Sequence, residues 1–242
     1  MQIPPTVAAI IVAAGRGQRA GGDVSKQWQH IAGKSVLQHT LDVFTAHPRV
    51  TEIVLVVADT DRARVEALKL SSHVRIATGG AERSQSVLSG LNATQADHVL
   101  IHDAARCCLP PVVIDRVLDA LQTDQAVGPA LPVTDALWMG EDNQVKGVQD
   151  RTGLYRAQTP QGFHLTAIRA AHATHGAGAA DDVEIAQRAG LDVTIVQGDA
   201  RNLKITTPAD FARAAKLLET PLDIRTGNGF DVHRFGVGDH VM

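Results

Sequence analysis

VAAIIVAAGRGQRAGGDVSKQ, residues 7–27, changes character at its midpoint. Its first half, Val7 to Ala13, is a continuous apolar run with the length and β-branched content of a strand buried on both faces of a parallel sheet. From Ala14 onward the chain is small and basic. Gly15, Gly17, Gly21 and Gly22 let the backbone approach a ligand closely, and Arg16, Arg19 and Lys26 carry positive charge. A glycine-rich basic loop at the C-terminal end of a buried strand is where open α/β sheets bind nucleotides, because the strand ends leave a crevice lined by N–H groups. The expected ligand is anionic, with phosphate the first candidate.

Two common phosphate motifs do not fit. Gly15-x-Gly17-x-x-Ala20 formally matches the dinucleotide fingerprint, but Gly21 and Gly22 would interrupt the helix that should follow, and the next strand-like run reaches an acid only at Asp59. No Gly-Lys-Ser/Thr stands at Walker spacing. From the residues alone, a solvated surface loop competes evenly with a phosphate cradle.

Composition narrows the class. A chain of 242 residues suits one sizeable α/β domain, or one domain with a fragment attached. With 44% hydrophobic residues it can bury a core without disulfides or a structural metal, and with 3% aromatics that core must be mostly Val, Ile, Leu and Ala. A net charge of −3 argues against a general nucleic-acid or membrane-surface binder. Cys107 and Cys108 are adjacent, which suits neither an ordinary disulfide nor a zinc site, so they read as reduced thiols in a cytoplasmic protein. No basic start precedes an apolar signal core, and no apolar run approaches the length of a membrane span.

Periodicity predicts helices over 35–47, 60–70, 112–121, 164–175 and 207–219, strands over 52–58, 73–77, 98–101, 126–133 and 192–197, and a hairpin over 137–149 that leaves the sheet. This is the βαβ succession of a three-layer α/β/α sandwich. Polar segments fall at the strand ends. Gly79-Gly80 followed by Ser86 at a helix start offers N–H groups and a hydroxyl to the crevice, an ordinary capped turn being the alternative. Asp103, just past a strand, faces the same crevice and is placed to hold Mg²⁺ against triphosphate oxygens; capping a turn is the alternative. Asp181 and Asp182 open a helix, where acids favour the N-terminus without any catalytic role. Lys204 returns to the crevice late in the chain, although a lone Lys is ordinarily solvated. Asp231-x-His233 can put both side chains on one side of an extended segment, as a divalent metal site needs.

Ala13-Ala14-Gly15-x-Gly17-x-Arg19 followed by Lys26-Gln27 resembles the signature loop of nucleotidyltransferases that make activated sugar or polyol phosphates, and more narrowly that of the 2-C-methyl-D-erythritol 4-phosphate cytidylyltransferase family. Gly79-Gly80-x-Glu82-Arg83-x-x-Ser86, His102-Asp103-Ala104-Ala105-Arg106, Arg151-x-x-Leu154, Thr159-Pro160-Gln161 and Asn202-x-Lys204-x-Thr206 are similar to further family segments, in family order, over residues 6–219. The family usually has Pro where this chain has Val12, Ser25 and Cys107, and often Thr and Lys where it has Ala136 and Trp138.

The resemblance implies a Rossmann-like α/β/α nucleotidyltransferase domain over 1–220, with a mostly parallel sheet and a β-arm at about 136–150 that clasps a second subunit. It implies transfer of a cytidylyl group from CTP to 2-C-methyl-D-erythritol 4-phosphate, with Mg²⁺ as cofactor, Asp103 as its ligand, and Arg19 and Lys26 stabilising the transition state. CTP contacts are implied at Ala13, Ala14, Gly15, Gly17, Gly80, Ser86 and Ala104. Contacts to the second substrate are implied at Arg106, Asp135, Arg151, Thr159 and Lys204. The competing readings are a cytidylyltransferase for another polyol phosphate such as ribitol 5-phosphate, an NAD(P) oxidoreductase, and a non-catalytic nucleotide sensor. Residues 225–233 look like the opening of a 2-C-methyl-D-erythritol 2,4-cyclodiphosphate synthase domain, which implies Asp231 and His233 as its divalent-metal ligands. About twenty residues are too few to fold independently, so over 221–242 a linker and the start of that domain are expected, without its activity.

Overall fold

The computed structural model describes residues 4–15, 24–68 and 70–219. Gly17, Arg19, Asp231 and His233 lie outside the described residues.

Strand β1 (Val7–Val12) sits in the middle of the sheet, with Val7, Ala9 and Ile11 packed into one core and Ala8 and Ile10 into the other. Both faces of this strand are therefore covered, as its unbroken apolar run requires. A small hairpin of β2 (His30–Ile31) and β3 (Lys34–Ser35) leads into α1 (Val36–Ala46), whose N-terminus is capped by Ser35: its Oγ accepts the Gln38 N–H at 3.1 Å. Then follow β4 (Glu52–Val57), α2 (Arg62–Glu66), β5 (Val74–Thr78), α3 (Arg83–Asn92), β6 (His98–Asp103), α4 (Pro111–Ala120) and β7 (Ala126–Pro132). After the hairpin β8 (Leu137–Glu141) and β9 (Gln144–Gln149) come β10 (Tyr155–Ala157), β11 (Gln161–His164), α5 (Leu165–His175), α6 (Asp182–Arg188), β12 (Thr194–Gln197) and α7 (Pro208–Leu218).

Strands β5, β4, β1 and β6 run parallel in that order. β11 pairs antiparallel between β6 and β7, β10 pairs antiparallel with β7, and β12 lies parallel to β7. Leu37, Leu41, Phe44, Val113 and Val117 cover one face of the sheet, and Val87, Leu91, Phe163 and Ile168 the other, giving the three layers. α3 lies directly on the sheet at Gly90, where a Cβ would come within 2.5 Å of Ile10 Cγ2 and 2.9 Å of Val56 Cγ2. That close approach carries the N-terminus of α3 to the C-terminal edge of β1.

Two features depart from the periodicity. α2 covers five residues instead of the expected eleven-residue span, because Val65 is its one fully buried apolar side chain and too little surface is covered to hold a longer helix. β10 and β11 went unpredicted, since Gln161-Gly162-Phe163-His164 offers one large apolar residue and no alternation to read. The arm forms as expected. Asp142 and Asn143 turn it with φ of +50° and +59°, the backbone that tight hairpins need and that Asp and Asn tolerate. Among the described residues no helix is long and apolar enough to cross a membrane.

Candidate active site

The C-terminal ends of β1, β5 and β6 open on one cavity, lined by Ala13, Ala14, Gly15, Lys26, Gly80, Ser86, Asp103, Ala104 and Lys204 together with Gln27, Glu82 and Arg83. The start of the signature loop is held from beneath. Gln27, 3% exposed, donates its Nε2–H groups to the carbonyls of Ala13 at 2.9 Å and Gly15 at 3.1 Å. Ala14 rests against Gly79, where a Cβ would lie 2.3 Å from Ala14 Cβ. Ser86 is one turn inside α3 and not at its cap, which is Glu82. Its Oγ accepts the Gly80 N–H at 3.1 Å and donates to Glu82 O at 3.1 Å, while Gln85 Oε1 accepts from the N–H groups of Ala81 and Glu82 at 2.9 and 3.3 Å. The glycine turn is therefore pre-shaped by side chains, so a ligand reading Gly80 or Ser86 must exchange partners with them.

Asp103, the last residue of β6, is 9% exposed and pairs with two cations of the cavity wall. Its Oδ2 lies 2.7 Å from Lys204 Nζ and its Oδ1 3.4 Å from Arg83 Nε. Burial alone would raise its pKa, but Arg83 and Lys204, with Arg106 behind them, outweigh that and hold the carboxyl well below the usual range. Lys26 Nζ donates to Ile205 O at 2.9 Å, so the two lysines meet on the same short segment. That segment is fixed by Ile205 N–H to Ala105 O at 2.9 Å.

Behind Asp103 stands a buried brace. His102 Nε2 donates to Arg106 O at 3.2 Å, so its Nδ1 accepts, and Thr159 Oγ1 donates to it at 2.9 Å while accepting the Asp103 N–H at 3.3 Å. Burial pushes the His102 pKa down to about 3; the Asp103 charge opposes the shift and the Arg106 charge adds to it. Arg106 directs Nη1 to Asn202 O at 2.8 Å and Nη2 to Ala157 O at 3.2 Å. Asn202, fully buried, donates to Thr159 O at 2.7 Å. Arg106 and Thr159 also line a second depression beside the first, shared with Asp103, Arg83 and Lys204.

Over residues 7–220 the chain matches the family described as IspD, 2-C-methyl-D-erythritol 4-phosphate cytidylyltransferase. The chain belongs to this family. A bifunctional enzyme IspD/IspF of Ruegeria sp. (strain TM1040) is 52% identical over 245 residues, covering 98% of this chain and 64% of that protein. The chain thus spans about 64% of the length of that relative. A 2-C-methyl-D-erythritol 4-phosphate cytidylyltransferase of Cereibacter sphaeroides (strain ATCC 17023) is 55% identical over 218 residues, covering 88% of this chain and 97% of that one. A crystal structure of 4-diphosphocytidyl-2C-methyl-D-erythritol synthase superposes with a TM-score of 0.79 at 32% identity, over 89% of this chain and 100% of that one.

Set against the cytidylyltransferase family motifs, the fold gathers most of the sequence candidates among the described residues and leaves two of these apart. Asp135 and Arg151 line neither depression; both are exposed at the foot of the arm, where Arg151 Nη1 donates to Thr134 O. Sequence reasoning passed over Arg83, which borders both depressions inside a cytidylyltransferase motif already singled out. It also read Asp182 as a helix-end acid. Asp181 does cap α6, its Oδ1 accepting the Glu184 N–H at 3.0 Å, but Asp182 is fully buried and paired with Arg83 at 2.7 Å. Adjacent acids gave no signal that one turns inward. Among the described residues no group of three or more His, Cys, Asp and Glu forms a metal cluster.

Proposed function

We propose that the chain transfers a cytidylyl group from CTP to 2-C-methyl-D-erythritol 4-phosphate and releases pyrophosphate. The observation that carries this reading is the convergence of Lys26, Lys204 and Asp103 at the mouth of a glycine loop. A phosphate oxygen of the acceptor attacks the α-phosphorus of CTP in line; that P–O bond forms as the bond to the β-phosphate oxygen breaks, and pyrophosphate leaves with the electron pair. Two polyanions repel, so the chain's task is to position them and neutralise the charge growing on the phosphoryl oxygens.

In this reading the first cavity takes CTP, with Ala13, Ala14, Gly15, Gly80, Ser86 and Ala104 along it, and the second depression takes the acceptor phosphate beside Arg106, Thr159 and Lys204. Lys26 and Arg19 stabilise the transition state. Asp103 suits Mg²⁺, which takes one or two carboxylates and completes its shell with substrate phosphate oxygens and water; bound there, it would neutralise and hold the triphosphate. Lys204 leaves Asp103 for the acceptor phosphate. The chain acts as a cytoplasmic homodimer, with Asp135 and Arg151 reaching the partner's acceptor site at the foot of the arm. The arm's exposed Trp138 and Val148, 69% and 68% accessible, support an interface there.

The test is pyrophosphate release with Mg²⁺ and CTP, with and without methylerythritol 4-phosphate, and with ATP, GTP and UTP as controls. Release that needs both substrates is expected. Release with ribitol 5-phosphate in place of methylerythritol 4-phosphate would move the assignment to another polyol, and CTP binding without release to a sensor.

A further inference from the structure

A line of side chains runs from the interior to the cavity. His172 Nε2 lies 3.0 Å from Asp182 Oδ1, Asp182 Oδ2 lies 2.7 Å from Arg83 Nη2, and Arg83 Nε lies 3.4 Å from Asp103 Oδ1. The side chains of His172 and Asp182 are wholly buried, whereas Arg83 is 29% exposed at the cavity wall. His172 comes from α5, Asp182 from the first turn of α6 and Arg83 from the first residue of α3, so three helices meet to make the line.

Arg83 thus faces two carboxylates and leans towards the buried one. A contact of 2.7 Å to a fully desolvated acid is a strong charge-assisted bond, and 3.4 Å to Asp103 is a weak one. Helix packing alone does not need this arrangement: a buried acid is costly unless paired, and Asp181 already caps α6.

We propose that Asp182 is a positioning residue whose charge draws Arg83 away from Asp103 and keeps one carboxylate oxygen of Asp103 open to a divalent cation. The inference rests on the reading of Asp103 as the cation ligand given above. With Asp182 neutral, Arg83 loses its closer ionic partner and moves onto Asp103 Oδ1, and until an acceptor phosphate draws Lys204 off Oδ2 both oxygens face protein cations. His172 holds Asp182 from behind. It must donate through Nε2, since a carboxylate only accepts.

The experiment measures the gain in CTP affinity that Mn²⁺ confers, as the ratio of calorimetric dissociation constants for CTP with EDTA and for CTP with Mn²⁺. D103N is expected to abolish the gain. D182N, which preserves shape and the His172 contact, is expected to cut it by about tenfold, the usual scale for a group that supports a metal ligand from behind. R83Q/D182N, which removes both charges of the buried pair, is expected to restore it to the wild-type value or above, which a mere packing defect in α6 could not do. If D103N keeps the gain, the cation reading falls and this proposal with it. If D103N loses the gain while D182N keeps it, or if the double variant stays as weak as D182N, the proposal alone falls. Should D182N fail to fold, the double variant against wild type decides: a gain at or above wild type supports the positioning role, and a gain below it overturns that role.

Discussion

Replacing Gly79 by Ala tests whether the nucleotide cavity depends on the contact between two strand ends. The added Cβ would lie 2.3 Å from Ala14 Cβ and 2.9 Å from Ser86 Oγ. Carbon atoms pack at about 3.5–4.0 Å, so the chain leaving β1 and the turn after β5 must part by more than ~1 Å. Overpacking of this kind costs about 1–3 kcal/mol, which lowers the melting midpoint by about 2–4 °C per kcal/mol in a chain of this size. A displacement of ~1 Å at a nucleotide site costs up to about a hundredfold in rate, so kcat/KM for CTP is expected to fall by about 10–100-fold. Ala14→Gly removes the carbon that the new methyl group meets. In the double variant G79A/A14G much of both losses is therefore expected to return, with an interaction energy of about 1 kcal/mol or more in a thermal or urea double-mutant cycle. Additive losses, or an indifferent G79A, would show that the two strand ends do not set the cavity.

Lys26→Ala is expected to lower kcat by about 10²–10³-fold. Loss of its hydrogen bond to Ile205 O, worth about 1 kcal/mol, should move the melting midpoint by a few degrees. Near-normal turnover in a folded K26A would remove Lys26 from the transition state. For His102, the folded pKa of about 3 lies below the ordinary value of 6.5, so between those limits the unfolded chain binds the extra proton. Its contribution to stability is thus complete above pH 6.5 and lost as pH falls towards 3. The slope reaches about 1.4 kcal/mol per pH unit, and urea unfolding of H102Q should lack that share of the wild-type slope; equal slopes would contradict the buried-imidazole account. Trp138→Asp places a charge on the exposed arm. Sedimentation should show the proposed dimer giving way to monomer, and an unchanged sedimentation coefficient would argue against an interface at the arm.

The strand that organises the sheet was legible because Val7 to Val12 must be covered on both faces, and only the middle of a layered sheet does that. The hairpin was legible through Asp142-Asn143, and the end of β6 through the polar string after its apolar core. β11 was not, since its burial comes from the neighbours β6 and β7 and not from its own pattern. In the same way Thr159 and Arg106 stood out only through the family motifs they resemble. That their groups bond to His102, Ala157 and Asn202 depends on contacts between residues up to 96 positions apart. Asp182 was hardest to read: its neighbour accounts for the helix end, and only the path of α5 and α3 reveals the inward partner.

The bond from Lys26 Nζ to Ile205 O joins positions 179 apart. During synthesis, then, the glycine loop and most of the sheet leave the ribosome well before the segment that closes the cavity. A nascent chain halted short of Lys204 carries the signature loop and Asp103 without the second lysine or the carbonyl that steadies the first. Such a chain has the floor of the cavity but not the wall that Lys204 supplies, so the pocket is finished only when the late segment docks.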